Sequence, residues 1–165
     1  MKNILIPTFL LVLAACGETG SLNLTQVLGI PAGDKEGTAL SGTFSTRVSY
    51  VNDGCKDFPS LEVPFKNTTE VGNVVIEQDS GNISFKDIQQ QPLFGGVYFD
   101  NHYEAGGTFT LDRQGDQNIL RAVMLRGRFV DPNTFEGNGE ARMVGRIEAK
   151  DVDCSYKFTV SGIRS

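Results

Sequence analysis

The sequence predicts an all-β protein, an eight-stranded antiparallel up-and-down β-barrel, from three observations. Most segments after residue 42 alternate apolar and polar residues with a period of two, which is typical of strands buried on one face. Clusters of Gly, Asn, Asp and Ser separate these segments and favour turns. No segment has the spacing of a long amphipathic helix.

The first half of the predicted sheet consists of one strand and two hairpins. In TFSTRVSYV, the side chains of Phe44, Val48 and Tyr50 fall on one face. GNVVIEQ and ISFKDI are predicted as a hairpin, because the DSGN between them consists of strong turn formers. GVYFDNHY and GTFTLDR are predicted as a second hairpin, which turns at Ala105 and Gly106.

The patterning also predicts how the sixth and seventh strands pair. If the loop between them is DPNTF, residues 131–135, Leu125 lies opposite Ala141 on the apolar face and Arg126 lies opposite Glu140 on the polar face. This register sorts both strands into an apolar and a polar side, which is how register is normally specified. The last segment, DCSYKFTVSGIR, alternates in the same way.

The predicted strands lie at 42–52, 71–79, 82–89, 95–104, 106–113, 118–130, 136–150 and 153–163. Short links between successive strands favour the up-and-down order. A two-sheet β-sandwich is the alternative arrangement of the same strands. An outer-membrane barrel would show the same alternation, but the chain lacks girdles of Trp and Tyr.

The N-terminus has the pattern of an export signal. Residues 1–15 combine a Lys near the start with an apolar run that is shorter than the ~20 residues a membrane-spanning helix needs. The run ends in LAAC, which resembles the lipobox of bacterial lipoproteins over residues 1–17. The resemblance implies cleavage before Cys16, a diacylglyceryl group on its thiol and acylation of the new amino terminus, with palmitate as a typical acyl group. An ordinary signal peptide with a chance Cys is the alternative.

This resemblance implies a domain organisation and a location. Residues 1–15 would be the signal peptide, 16–41 a lipidated tether and 42–165 the β-barrel domain. The protein would be lipid-anchored in the bacterial cell envelope and would face away from the cytoplasm. Gly17 replaces the Asp that tends to retain lipoproteins at the inner membrane, which favours the outer membrane if the cell is Gram-negative.

The lipobox leaves two of the three cysteines to be explained. Since an exported protein meets an oxidising compartment, we predict a Cys55–Cys154 disulfide. Cys55 follows the first strand and Cys154 begins the last, so the bond would join neighbouring, antiparallel first and last strands. An up-and-down sheet meets this condition only with an even number of strands, which favours closure into a barrel.

Composition and motifs argue against several classes of function. A net charge of −5 does not suit nonspecific binding to nucleic acid. No metal, cofactor or catalytic residue is predicted, because the chain has one His and lacks HExxH, GxSxG, P-loop and CxxC motifs. The one His in the sequence, His102, would act as a base if Asp100 or Glu104 oriented it. A solvated His near a hairpin end is the simpler interpretation.

Two groups of residues are candidates for binding. One is a basic patch that would dock a protein partner on the outer face of the sixth and seventh strands, although a solvated face with cross-strand ion pairs is the simpler interpretation: Arg126, Arg128, Arg142 and Arg146. The other is a set of inward rings that would line a ligand site or simply fill the barrel: Phe44, Phe85, Phe99, Phe109, Phe129 and Phe158.

Three hypotheses about function follow. We favour a membrane-anchored, noncatalytic envelope lipoprotein that binds a protein partner or has a structural role. The alternative is a carrier of a small apolar ligand, lipocalin-like in shape, since an eight-stranded barrel is just wide enough for one. The third is an enzyme that uses His102.

Overall fold

The structure, a computed structural model, describes residues 29–52, 54–58, 67–87, 92–112, 118–147 and 149–165. The predicted signal, the lipobox and the first part of the predicted tether lie outside these residues. The strands of the described part are β1 (Gly42–Tyr50), β2 (Thr69–Asp79), β3 (Asn82–Asp87), β4 (Leu93–Val97), β5 (His102–Asp112), β6 (Asn118–Asp131), β7 (Thr134–Ile147) and β8 (Lys150–Arg164). These residues include no helix long and apolar enough to cross a membrane.

The eight strands form one closed, antiparallel barrel in up-and-down order. Each strand pairs with the next, and β1 also pairs with β8, so that Phe44 lies opposite Arg164 and Tyr50 lies opposite Phe158. The predicted barrel is therefore confirmed, and the alternative β-sandwich is wrong. Closure leaves no unpaired first or last edge for another chain to join.

A disulfide joins Cys55 to Cys154 across 99 residues of sequence, with Cα atoms 5.2 Å apart. Cys55 follows β1, and Cys154 lies in the first third of β8. The predicted pairing is confirmed, together with its position beside the β1–β8 seam. Both cysteines are buried in an apolar cluster with Tyr156 and Val152.

Among the described residues, one end of the barrel is covered by chain and is here called the closed end, and the other has no such cover and is here called the open end. The closed end carries the turns β2–β3, β4–β5 and β6–β7, and the other four connections lie at the open end. Residues 33–41, here called the strap, cover the closed end. Gly33 N donates to Gly81 O at 2.8 Å, and Lys35 N donates to Val97 O at 3.1 Å.

Two inward polar side chains, Gln78 and Arg164, form hydrogen bonds with the backbone of the strap. The Oε1 atom of Gln78 accepts a hydrogen bond from Leu40 N at 3.1 Å, and Leu40 itself is buried in the core. The Arg164 guanidinium donates to the carbonyl oxygens of Ser41 and Pro132, both at 2.7 Å. The strap was predicted as part of a tether outside the barrel domain, so the folded unit begins before the predicted boundary at residue 42.

Aromatic rings fill the closed half of the barrel. Phe44, Phe85, Tyr103, Phe129 and Phe135 are buried and pack with ring centroids 4.9 to 6.3 Å apart, mostly edge to face. Such pairs add about 0.5–1.5 kcal/mol each beyond the burial of their area. Ring-to-ring packing therefore dominates the closed half.

The second hairpin turns at a different place from the prediction. The β4–β5 turn spans residues 98–101, where Asn101 has a φ of 69° and the Asp100 side chain accepts from His102 N. Ala105 and Gly106 lie inside β5 instead. Asn and Asp tolerate the left-handed turn conformation. Glycine within these strands serves packing: a Cβ on Gly96 would overlap Pro31 O, where the chain before the strap crosses the sheet.

The β6–β7 register differs from the prediction by two residues. Leu125 lies opposite Gly139, and Arg126 lies opposite Asn138 rather than Glu140. The connection is a two-residue turn at 132–133, because Asp131 Oδ1 accepts a hydrogen bond from Asn133 N at 2.6 Å. A shift of two keeps every side chain on its predicted face, so the apolar pattern could not distinguish the two registers.

Candidate functional site: a cavity in the open half of the barrel

The open half of the barrel contains a cavity of about 150 Å³. All eight strands contribute to its lining: β1, β2, β6 and β8 contribute three residues each, and β3, β4, β5 and β7 contribute one residue each. The lining consists of Thr46, Val48, Tyr50, Glu70, Asn73, Val74, Phe85, Leu93, Phe109, Arg121, Val123, Leu125, Phe135, Tyr156, Phe158 and Val160. Most of these side chains are apolar or aromatic.

The cavity lies beside the described ends of β3 and β4. In the described part of the chain, β3 pairs with β2 only from Val74 onward, and β4 pairs with β5 only up to Gly106. Residues 69–73 of β2 and 107–112 of β5 therefore lack a described strand on that side. Glu70 and Asn73, which line the cavity here, are exposed.

Arg121 is the one cationic side chain in the cavity lining. It lies on the inward face of β6 between Ile119 and Val123, which are both buried. Its Nε atom is buried and has no hydrogen-bond partner among the described residues. Its Cζ atom lies 5.9 Å from the centre of the Tyr156 ring, a distance typical of a cation–π contact.

The other polar side chains of the lining belong to Tyr50, Tyr156, Glu70, Asn73 and Thr46. The Tyr50 hydroxyl donates to Glu70 Oε2 at 2.9 Å. Burial, followed by this bond, raises the pKa of Tyr50, and burial also raises the pKa of Tyr156 against the lowering effect of Arg121. Both phenols are therefore neutral at physiological pH. The cavity thus offers apolar walls, one guanidinium and a rim carboxylate, an arrangement suited to holding a small molecule.

The predicted ligand-lining rings are divided between three places. Three of them line the cavity: Phe85, Phe109 and Phe158. Phe44 and Phe129 point inward but are buried among the rings of the closed half. Phe99 was predicted to point inward, and this is wrong, because it lies in the β4–β5 turn and is 78% exposed. The prediction extended strand alternation through residues that form a turn.

The predicted basic patch is neutralised by carboxylates. Its four arginines pair with partners on neighbouring strands: Arg126 with Glu104 at 3.0 Å, Arg128 with Glu136 at 2.9 Å, Arg142 with Asp153 at 2.7 Å and Arg146 with Asp151 at 3.8 Å. The predicted Arg126–Glu140 pair is wrong, because of the register difference. This arrangement matches a solvated face with cross-strand ion pairs, which contribute little to stability.

His102 is exposed and is the first residue of β5, directly after the β4–β5 turn. Its Nδ1 atom lies 2.7 Å from Asp100 Oδ2, and hydrogen bonds from His102 lower the pKa of the Asp100 carboxyl. Glu104, the other predicted orienting group, is engaged with Arg126. Among the residues that the structure describes, no hydroxyl lies within hydrogen-bonding distance of the imidazole. The contact with Asp100 therefore stabilises the β4–β5 turn.

Potential metal ligands do not cluster. Across the described ranges, no group of three His, Cys, Asp or Glu side chains is placed to hold a metal ion. Asp151 and Asp153, which occur close together in the sequence, each face an arginine of β7 instead.

Sequence reasoning missed three inward polar residues, Arg121, Gln78 and Arg164. Each occupies a position that the alternation assigns to the apolar face, as Arg121 does between Ile119 and Val123. The sequence signal that could have identified them is a charged or amide side chain at a position of the apolar face. It indicates either a buried network, as at the closed end, or a binding group.

Known proteins give no further guide to this site. A scan against protein-family models, a search of curated proteins and a search of solved structures each find no match for the chain.

Proposed function

We propose that this protein is a lipid-anchored, noncatalytic binding protein of the bacterial envelope that holds a small apolar ligand in the open half of its barrel. The observation that carries the proposal is the cavity of about 150 Å³ with mainly apolar walls. An apolar cavity of about that size is large enough to bind benzene. The ligand would be bound by burial of its apolar surface, with the polar side chains orienting it.

The division of the barrel into two halves supports this choice. The rings of the closed half pack against one another, whereas those of the open half leave space beside Tyr156 and Phe158. A barrel that served only as a scaffold would gain stability from filling that space, since each unfilled methyl-sized volume costs about 1 kcal/mol.

Binding of a neutral probe tests the cavity. We expect 2-phenylethanol to shift the NMR resonances of Val123 and Phe158, because both line the cavity. Val123→Phe should fill the space and weaken probe binding at least tenfold. Val130→Phe, on the same strand but 54% exposed, is the matched control and should bind like the wild type. A wild-type protein that binds no small apolar probe contradicts the proposal.

The lipid anchor is tested separately at Cys16, whose place in LAAC supports it. Cells expressing the wild type should incorporate a palmitate analogue into the protein and retain it in the membrane fraction. Cys16→Ser should abolish both the label and the retention. A labelled Cys16→Ser variant would show that the acyl group, if any, is elsewhere.

Docking of a protein partner, the function favoured from the sequence, is a second candidate because of three exposed apolar side chains. Phe99, Val130 and Ile163 lie at or beside the closed end and are 54–78% exposed. Exposed apolar groups at a loop end are typical of contact sites. A photo-crosslinker at Phe99 should capture a partner on cells, and one at the exposed Val71 of the opposite end should not. We do not propose the His102 enzyme.

A further inference from the structure

We propose that the ligand of the open-half cavity is a small monocarboxylate whose anionic head binds Arg121 and whose apolar body, about the size of one benzene ring, fills the cavity. This inference rests on the proposed function, since it names the class of ligand for the same site. Arg121 differs from the arginines of the outer face, because its guanidinium lines the cavity.

Among the described residues, Arg121 has no carboxylate in direct contact with its guanidinium. No carboxylate of the described residues lies within 4.0 Å of its nitrogens, whereas Arg126 and Arg128 on the same strand each contact one at 2.9–3.0 Å. Its Nε–H is also buried and has no acceptor in the part of the chain that the structure describes. A buried donor left without a partner is costly, so such groups in native proteins usually mark a missing acceptor.

The chemistry of a guanidinium favours a carboxylate as that acceptor. Its planar fork matches the two oxygens of a carboxylate, and charge-assisted hydrogen bonds are roughly twice as strong as neutral ones. The Tyr156 ring packs against the guanidinium, whose Cζ atom lies 5.9 Å from the ring centre. A ligand that supplied two oxygens would satisfy the Nε–H and one further N–H.

Glu70 is the one carboxylate in the lining and would oppose an anion. It lies at the exposed end of the site, where water screens its charge. Its Oε2 atom is already held by the Tyr50 hydroxyl at 2.9 Å. We therefore expect Glu70 to weaken anion binding modestly, and Glu70→Gln to strengthen it.

The volume limits the apolar body. About 150 Å³ accommodates one ring or a chain of roughly six carbons. The walls that would contact it are Val123, Leu125, Phe109 and Phe158. Phenylacetate, 2-phenylethanol and phenethylamine share one apolar body and differ in the charge of the head. A comparison of their affinities therefore isolates the contribution of the head group.

Calorimetry with these three probes at neutral pH tests the inference. Phenylacetate should bind at least tenfold more tightly than 2-phenylethanol, and phenethylamine most weakly. Arg121→Gln should remove the preference for phenylacetate. Arg126→Gln, on the outer face of the same strand, is the matched control and should retain it. Because Arg121→Gln could also alter folding, the Nε–H resonance of wild-type Arg121 gives a second readout, which should shift with phenylacetate only.

Each outcome has a distinct meaning. Equal affinity for phenylacetate and 2-phenylethanol would overturn the carboxylate inference and leave the proposed cavity function intact. Tighter binding of phenethylamine would assign the polar recognition to Glu70 and overturn it as well. Binding of none of the three would contradict both this inference and the proposed function.

Discussion

At the scale of single residues, the barrel interior depends on where side chains are small. Gly139 of β7 faces the interior beside Phe158, and a Cβ on Gly139 would overlap the Phe158 ring. Phe158 in turn forms part of the cavity wall. The absence of one methyl group therefore sets the position of a ring that bounds the candidate site.

Substitution of that glycine should be costly. Gly139→Ala should lower the free energy of unfolding by about 1–3 kcal/mol, because the new methyl group forces the Phe158 ring to move. Gly72→Ala on β2 is the matched control, since its Cβ would lie 4.0 Å from the nearest atom, Thr46 Oγ1. Urea unfolding measures both variants. Equal stabilities of the two would show that the ring at Phe158 moves freely.

The candidate site shows how far sequence reasoning extends at this scale. The inward direction of Phe85 and Phe158 follows from alternation alone. The role of Arg121 does not follow from alternation, because alternation cannot tell whether an inward arginine meets a carboxylate on another strand. At the closed end, Arg164 meets carbonyl groups of the strap, and at the open end Arg121 meets no such partner among the described residues.

At the scale of elements, the strap is part of the folded unit. Leu40 is buried in the core, and Gln78 satisfies its amide oxygen through Leu40 N. A chain of residues 42–165 should therefore be less stable than one of residues 29–165.

We expect the shorter chain to lose at least as much free energy of unfolding as Leu40→Ala in the longer one, about 2–5 kcal/mol. The truncation removes both the apolar contact and the partner of Gln78. Thermal and urea unfolding of the three proteins measure this difference. Identical midpoints for the chains starting at 29 and 42 would mean that the strap is not bound in solution.

The β7–β8 ladder should give a small pH dependence. The hydrogen bonds from Arg142 lower the pKa of Asp153 below its unfolded value of about 3.9. Asp153 therefore stabilises the fold above that value, and this contribution is lost as the pH falls through the lower, folded pKa. Because the Asp153 side chain is 60% exposed, the effect should be below about 1 kcal/mol.

The comparison of wild type with Asp153→Asn measures it. The wild type should be more stable at about pH 6, and the difference should shrink as the pH is lowered below about 4. Asp151→Asn is the control, because its carboxylate lies 3.8 Å from Arg146 and is almost fully exposed. A stability difference that grows toward acid pH would have the wrong sign for this ion pair.

The elements also show which structural features were predictable. The number, order and faces of the strands follow from the two-residue period, and a shift of register by two leaves that period unchanged. The alternation could therefore not predict the β6–β7 register. The β4–β5 turn was misplaced because Gly106 resembles a turn residue, whereas glycines on this part of the wall allow the N-terminal segment to lie close to the sheet, as at Gly96.

At the scale of the whole molecule, the disulfide joins the connection after β1 to β8. The double variant Cys55→Ala/Cys154→Ala should lower the free energy of unfolding by about 2–5 kcal/mol, because a closed loop of 99 residues no longer restricts the unfolded chain. Chemical reduction of the wild type should give a similar loss. An unchanged unfolding midpoint in both experiments would mean that the bond does not form in the isolated protein.

The junction of β1 with β8 has a consequence for synthesis. Ser41 emerges from the ribosome first, yet the guanidinium that binds its carbonyl oxygen belongs to a residue 123 positions later. Until then β1 has one neighbour, β2, and its other edge offers unpaired amides to any extended chain nearby. A chain that has formed its first strands but lacks β8 would therefore be a sheet with two free edges, and a helper that covers the β1 edge would protect it best.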